Sequence, residues 1–230
     1  MTSHENHCVP AVRRDDASEL SDEAIVLRVK AGETELFRHL LRRYNQRVYR
    51  AARAVLRDDA EAEDVAQEAW VRAYQHLHEF EGRALFSTWI TRIAFHEALA
   101  RSRRARRLGG PENGPAAENA VTESPTPDPE REASGREIRI RIEAAVEALP
   151  ASYRVVFVLR EVEELSTRET AQSLEVSEDV VKTRLHRARA MLRQDLLGRE
   201  GTGRSGIFPF LGARCDRMVA SVLSRISSLG

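Results

Sequence analysis

Residues 165–193 read LSTRETAQSLEVSEDVVKTRLHRARAMLR, a pattern that predicts a helix, a tight turn and a second helix. Ser166 followed by Glu169 has the spacing of a capping box, which satisfies free amides at the start of a helix. Ser177 can cap the second helix in the same way. The apolar residues of the second helix recur at intervals of four, three and four, which places them on one buried stripe. They are Val181, Leu185, Ala188 and Leu192.

The rest of this second helix is basic. Residues 180–193 hold five basic side chains and no acidic one: Lys182, Arg184, Arg187, Arg189 and Arg193. The face opposite the apolar stripe carries Asp179, Thr183, His186 and Arg187, with Lys182 beside it. A helix that is held by its apolar side and offers hydrogen-bond donors on the other can read a DNA major groove. The alternative is a solvated basic helix, but the two capped starts and the short turn favour DNA binding.

Composition limits the class of protein. The 230 residues contain 36 basic and 36 acidic side chains, so the net charge is zero. The charges are nevertheless segregated, because residues 101–107 read RSRRARR whereas residues 108–135 contain six acids and one base. The two cysteines, Cys8 and Cys215, do not form a disulfide framework. With no apolar run of membrane-spanning length and no signal-peptide core, we expect a cytoplasmic protein without membrane insertion.

Helical periodicity extends along most of the chain, and strand-like alternation is absent, so the sequence predicts an all-α fold. We expect helices at about residues 21–31, from 36 to beyond 55, and over 58–77, 86–104, from 136, 153–161 and 213–227. The predicted units are a disordered tail (1–20), a helical bundle (21–107), a flexible acidic linker (108–135), a helix-turn-helix domain (136–198), and a Gly-rich hinge with a C-terminal amphipathic helix (199–230). The apolar stripe of that last helix comprises Met218, Val219, Val222 and Ile226.

Two further segments suggest binding surfaces. Residues 80–107 combine aromatic side chains, small polar ones and a basic tail, a composition suited to a melted nucleic-acid strand because aromatic rings stack on unpaired bases. Trp89, Ile90 and Ile93 could equally be core residues. Residues 59–74 read DAEAEDVAQEAWVRAY and are acidic, so this helix either faces solvent or docks on a basic protein partner.

The chain resembles the extracytoplasmic-function sigma factors, a group of the sigma-70 family of bacterial RNA polymerase subunits. Residues 36–107 resemble region 2 of the family and residues 136–193 resemble region 4. The motifs that carry the resemblance are DAEAEDVAQEAWVRAY, FSTWITRIA, LSTRETAQSL and VKTRLHRARAML, in this order. The resemblance implies promoter-specific initiation of transcription. It also implies three partners: core RNA polymerase (through its β′ clamp helices and β flap), promoter DNA and an anti-sigma factor.

The resemblance also implies roles for individual residues. Region 4 would read the −35 duplex through Lys182, Thr183, His186 and Arg187, supported by Arg160, Thr167 and Arg168. Region 2 would hold the melted −10 strand through Phe80, Glu81, Gly82, Arg83, Ser87, Thr88, Arg92, His96, Arg101, Arg103 and Arg104. It would bind core polymerase through Asp64, Gln67, Glu68, Trp70, Val71 and Tyr74. Many family members carry Asn where His96 stands.

Other classes of function have weaker support. The sequence lacks the phosphate-loop, metalloprotease, nucleophile-elbow and dinucleotide motifs, so we expect no enzyme activity and no cofactor. His4, His7 and Cys8 could form a metal site or redox switch with Cys215, but three ligands in a polar tail are weak evidence, and we predict no metal. An ordinary DNA-binding regulator would explain the helix-turn-helix but not residues 80–107. We further hypothesise that the C-terminal helix docks on region 2 or region 4 as a latch.

Overall fold

The computed structural model describes residues 20–108, 129–197 and 213–228, and it describes side chains within these ranges for 20–108, 139–196 and 216–228. The described residues form helices and turns, with no strand among them. The helices are α1 (Asp22–Lys30), α2 (Phe37–Leu56), α3 (Asp59–Gln75), α4 (Phe86–Arg107), α5 (Pro129–Ala148), α6 (Ala151–Phe157), α7 (Thr167–Leu174), α8 (Glu178–Leu197) and α9 (Ala213–Ser227). The all-α prediction is therefore confirmed.

The first bundle consists of α1 to α4, with α2 packed against both α3 and α4. Ser21 caps α1 by accepting a hydrogen bond from the amide of Ala24 at 3.2 Å, and Asp58 caps α3 through the amide of Glu61 at 2.8 Å. The largest core side chain is Trp70, which is fully buried and donates to Oδ1 of Asn45 at 3.1 Å. Pairing of its indole N–H allows this side chain to be buried without an unsatisfied donor.

The second bundle consists of α5 to α8, and its central contact is between α6 and α8. Helix α6 continues into one wider π turn at Val158–Val162 before the chain turns into α7. Helix α5 begins at Pro129, so the prediction of a linker as far as residue 135 is wrong at its end. Proline is tolerated in the first turn of a helix, because its missing N–H would have no partner there. Residues 109–128 of that linker lie outside the described residues.

The two bundles pack on each other through α4 against α7 and through the basic side of α2. Arg50 Nη1 lies 2.7 Å from Glu163 Oε1, and Arg47 Nε lies 3.2 Å from Glu163 Oε2. Arg53, only 1% exposed, pairs with Asp59 in its own bundle and with Glu147 in the other. The basic face of α2 is therefore part of the contact between the bundles.

Arg154 is a second buried cation at this contact. Its Nε donates to the carbonyl of Ala54 at 2.5 Å, and its Nη1 donates to the carbonyls of Glu147 and Leu149 at 2.8 Å each. Burial, followed by the nearby charges of Arg57 and Arg53, lowers the pKa of Arg154 to about 10. Arg154 thus ties α2 to the end of α5, where the chain turns at Pro150.

Helix α9 has the bounds that the sequence predicted and packs on the first bundle, against α2 and α3. Its apolar stripe is buried, with exposed fractions of 2% for Met218, 7% for Val219, 0% for Val222 and 6% for Ile226. The C-terminal helix is therefore an added element of the first bundle.

Three expectations concern residues outside the described ranges: the polar tail up to residue 19, the Gly-rich hinge, and a metal site at His4, His7 and Cys8. Within the described ranges, no cluster of three or more potential metal ligands is found. No helix in those ranges is both long and apolar enough to cross a membrane.

Candidate DNA-binding and docking surfaces

The helix-turn-helix is built by local hydrogen bonds that the sequence predicted. Ser166 Oγ accepts from the amide of Glu169 at 3.1 Å, and the Glu169 carboxylate accepts from the amide of Ser166 at 2.7 Å. Hydrogen bonds from the side chain and from the backbone amide of Ser166 lower the pKa of Glu169, since they stabilise the charged carboxylate. Ser177 Oγ accepts from the amide of Val180 at 3.4 Å at the start of α8. The capping box and both helix starts are therefore confirmed.

The recognition helix α8 is buried on one side and exposed on the other. Its apolar stripe is between 0% and 8% exposed, whereas the residues predicted to read the −35 duplex lie on the solvent side. Among them, Arg187 Nη1 donates to the Tyr153 hydroxyl at 3.2 Å, and Lys182 Nζ lies 3.1 Å from Asp179. Both contacts are exposed to solvent and contribute little to stability. Replacing them by contacts with DNA therefore has a small free-energy cost.

The three supporting residues of the predicted −35 surface differ in their surroundings. Arg168 is exposed at the start of α7, and Thr167 beside it is partly exposed. Arg160 is partly buried and donates a hydrogen bond to the carbonyl of Leu165, the residue before the cap of α7. Arg160 therefore positions the helix-turn-helix, whereas Arg168 is available to a phosphate.

The predicted −10 surface begins at the loop between α3 and α4. Phe80 is 7% exposed, with its ring 5.6 Å from that of Phe86 and 5.3 Å from that of Trp89. The next three residues, Glu81, Gly82 and Arg83, are exposed. Gly82 has a φ of 73°, a left-handed conformation that favours glycine. Phe80 thus anchors the loop while its tip faces solvent.

A cleft of about 690 Å³ lies between this loop and the helix-turn-helix. Thr88 and Trp89 of α4 line one side, and Arg168, Gln172 and Glu175 of α7 and its end line the other. Thr88 is 2% exposed, and its Oγ1 is a buried hydroxyl without a hydrogen-bond partner. Since buried hydroxyls normally find partners, this atom marks a place where a polar ligand group could bind. Ser87, which is 5% exposed, is buried at the start of α4.

Several basic residues of the predicted −10 surface face acidic side chains in this arrangement. His96 Nε2 lies 3.3 Å from Glu175 Oε2, and Arg92 Nη1 lies 4.0 Å from Glu175 Oε1. Arg101 Nη1 lies 2.8 Å from Glu61 and 3.9 Å from Asp64. Arg103 and Arg104 are exposed near the end of α4. The predicted −10 residues thus lie in the loop before α4 and along α4 itself, with the helix-turn-helix beside them.

The predicted polymerase-binding residues of α3 differ in their surroundings. Asp64 is exposed, and Gln67 and Glu68 contact α9. Val71 is 5% exposed, and Tyr74 is half-buried with its ring 5.3 Å from that of Phe37. Trp70 is a core residue and is removed from the docking surface, because its fully buried indole is bonded to Asn45.

Sequence reasoning missed the residues that join the two bundles. Glu163, Glu147 and Arg154 form buried or half-buried contacts with α2. The sequence signal nearest to them is the basic face of α2, a row of arginines whose partner no local pattern identifies: Arg42, Arg43, Arg47, Arg50, Arg53 and Arg57. The partner is part of the same chain.

The comparisons with known proteins agree with this architecture. A family model described as Sigma-70 region 2 matches residues 40–108, and one described as Sigma-70, region 4 matches residues 139–192. The ECF RNA polymerase sigma factor SigW of Bacillus subtilis is 34% identical over 180 residues, which cover 74% of this chain and 94% of that protein. The ECF RNA polymerase sigma-E factor of Escherichia coli is 30% identical, over 75% of this chain and 93% of that protein.

Solved structures show the same fold. The structure of CnrH in complex with the cytosolic domain of CnrY matches with a TM-score of 0.54 and 25% identity, over 78% of this chain and 99% of that one. Both family models match in the expected order, and the relatives align over more than nine-tenths of their length. The chain therefore belongs to the extracytoplasmic-function group of the sigma-70 family, sigma factors that direct promoter-specific initiation of transcription.

Proposed function

We propose that this chain binds core RNA polymerase through α3, reads the −35 duplex with α8 and holds the melted −10 strand between α4 and the loop before it. The observation that carries the proposal is the division of α8 into a buried apolar stripe and an exposed face with Lys182, Thr183, His186 and Arg187. Such a face can place side chains against base edges while the bundle behind keeps the helix fixed.

The −10 assignment is supported by chemistry at the cleft. A base that leaves the stack needs an apolar or aromatic surface and hydrogen bonds to its edge, which together offset a cost of a few kcal/mol. Trp89 provides a partly exposed ring, and Thr88 Oγ1 is a hydroxyl without a protein partner. Arg103 and Arg104 extend this surface with two exposed cations suited to phosphates.

The domain assignment follows from the same surfaces. Residues 21–107 would be the polymerase-binding and −10-binding unit, and residues 136–198 would be the −35-binding unit. Sigma factors are not enzymes, and we propose that this chain has no catalytic activity or cofactor of its own.

An anti-sigma factor is a further proposed partner. The structural relatives include the sigma factor RpoE of Bartonella quintana, solved with the anti-sigma factor NepR, at a TM-score of 0.53 and 19% identity. This likeness supports the fold alone. The proposal rests on membership of a group in which CnrH is also solved with a protein partner.

The first experiment is binding to sigma-free core RNA polymerase. The purified protein should co-elute with the polymerase on a sizing column and be displaced by the housekeeping sigma factor. Asp64→Ala should weaken this binding, because Asp64 is an exposed carboxylate on the proposed docking helix, whereas Glu23→Ala, on exposed α1, should not.

Promoter-directed activity completes the test. The complex should support run-off transcription from genomic fragments that core polymerase alone does not transcribe. A folded protein that binds duplex DNA as a dimer and shows no affinity for polymerase would instead be an ordinary regulator, and the proposal would be wrong.

A further inference from the structure

Helix α9 covers part of the surface assigned to polymerase binding. Ser221 Oγ lies 2.8 Å from Gln67 Oε1, to which it donates, and Arg225 Nη2 lies 2.8 Å from Glu68 Oε2. Gln67 and Glu68 are two of the polar residues that the family resemblance places at the docking surface. The contacts of α9 and the proposed contacts of the polymerase therefore use the same side chains of α3.

The apolar side of α9 supplies most of the attachment. Met218, Val219, Val222 and Ile226 are buried in the same hydrophobic cluster as Val71 of α3. The ion pair between Arg225 and Glu68 is 44% and 42% exposed on its two sides, and pairs this exposed contribute little. Helix α9 thus binds as an amphipathic helix whose apolar face lies in a groove of the first bundle. Two polar contacts beside the apolar face fix its position on α3.

We propose that α9 is a cis-acting competitor of core RNA polymerase, which must displace α9 from α2 and α3 before it can bind. The inference rests on the proposed function, since it takes α3 as the docking surface. Residues 198–212 separate α9 from α8 and can span up to roughly 50 Å when extended. Helix α9 can therefore leave the groove while α8 stays in its bundle.

The size of the effect of such competition on polymerase affinity follows from how often α9 is docked. The apparent affinity for polymerase equals the intrinsic affinity multiplied by the fraction of molecules in which α9 is displaced. If α9 is docked in about nine of ten molecules, its removal strengthens binding about tenfold. The polymerase gains access to Gln67 and Glu68 only in the remaining molecules.

The experiment compares the full chain with a version that ends at residue 200. Affinity for sigma-free core polymerase is measured by fluorescence anisotropy, and the shortened chain should bind about tenfold more tightly. A synthetic peptide of residues 213–228, added in excess, should reverse this gain, because it restores the competitor in trans.

Full-length variants keep the test independent of truncation. Val222→Asp places a charge in the fully buried centre of the stripe and should reproduce the tighter binding. Arg225→Glu opposes Glu68 with a like charge and should act in the same direction more weakly. Arg217→Glu makes the same charge change at an exposed site of α9 and should leave the affinity unchanged.

The outcomes separate this inference from the proposed function. Equal affinity of the full and shortened chains, or weaker binding of the shortened one, would overturn competition by α9 while leaving the sigma-factor function intact. If neither chain bound polymerase although both melted cooperatively, the docking surface itself would be wrong, and the inference would fail with it. Tighter binding of the shortened chain and of Val222→Asp, reversed by the peptide, would establish it.

Discussion

The two proposed DNA-binding surfaces of this sigma factor are built in different ways. The residues proposed to read the −35 duplex lie on the solvent side of a single helix, α8, and are exposed. The −10 surface combines a loop, one side of α4 and a cleft whose other wall belongs to the helix-turn-helix. Of its residues, Phe80, Ser87 and Thr88 are buried, and Arg92 and His96 face Glu175.

This difference shows where the arrangement of the bundles matters. All four side chains proposed to read the −35 duplex belong to α8. Their placement therefore depends mainly on the packing of the buried apolar stripe of α8 within its own bundle. On the proposed −10 surface, the strand would lie beside α7, where the Glu175 carboxylate faces Arg92 and His96. The packing of the two bundles therefore limits the −10 surface more than the −35 surface.

The largest expected effect is a loss of stability when a buried ion pair between the two bundles is removed. Arg53→Ala removes a cation that is 1% exposed and leaves the carboxylate of Glu147, itself 7% exposed, without its partner. We expect the free energy of unfolding in urea to fall by about 3–5 kcal/mol. The matched control is Arg42→Ala, on the exposed part of α2, which should change it by less than about 0.5 kcal/mol. A loss as small as that of the control would show that the buried pairs of Arg53 do not stabilise the fold.

An intermediate effect is expected at the −35 surface. Arg187→Ala should weaken promoter binding by the polymerase complex by about 1–3 kcal/mol if the guanidinium contacts a base edge. The loss should disappear on a promoter whose −35 element is scrambled, as measured by filter binding at fixed salt. Arg193→Ala, which removes an exposed arginine from the end of α8, is the control. Equal losses on both promoters would indicate that Arg187 contacts a phosphate rather than a base edge.

The smallest effect is expected where the two surfaces meet. Glu175→Gln removes the negative charge near Arg92 and His96 and should strengthen binding of a single-stranded oligonucleotide by about 0.2–1 kcal/mol, as exposed pairs allow. Glutamine keeps the side-chain length at this left-handed residue, whose φ is 53°. Glu164→Gln, at an exposed residue that is also left-handed (φ 55°) and does not line the cleft, is the charge-matched control. If both variants bound equally well, the effect would be one of net charge alone.

Much of the helix-turn-helix could be predicted because its determinants are close together in the chain. Ser166 and Glu169 are three residues apart, and the stripe from Val181 to Leu192 repeats with the helical period. The bounds of α9 followed from the same kind of pattern. The start of α5 was missed because composition, with Pro129 and Gly135, outweighed periodicity in the prediction.

The candidate site was predictable only in part. Residue identities came from the family resemblance, but the burial of Trp70 depends on Asn45, which is 25 residues away. The pairing of Arg53 with Glu147 spans 94 positions, and that of Arg225 with Glu68 spans 157. No local pattern specifies such pairs, because the side chains meet only after the helices have packed.

The sequence by itself determined the helices, their caps, the basic face of α8 and the family to which the chain belongs. These features depend on hydrogen bonds and apolar repeats within a few residues, whose geometry is fixed by the helical turn. The tertiary structure alone decided that the arginines of α2 hold the two bundles together and that α9 lies on α3 beside Gln67 and Glu68. Those outcomes depend on which apolar faces bury each other most completely, a property of the whole chain rather than of any segment.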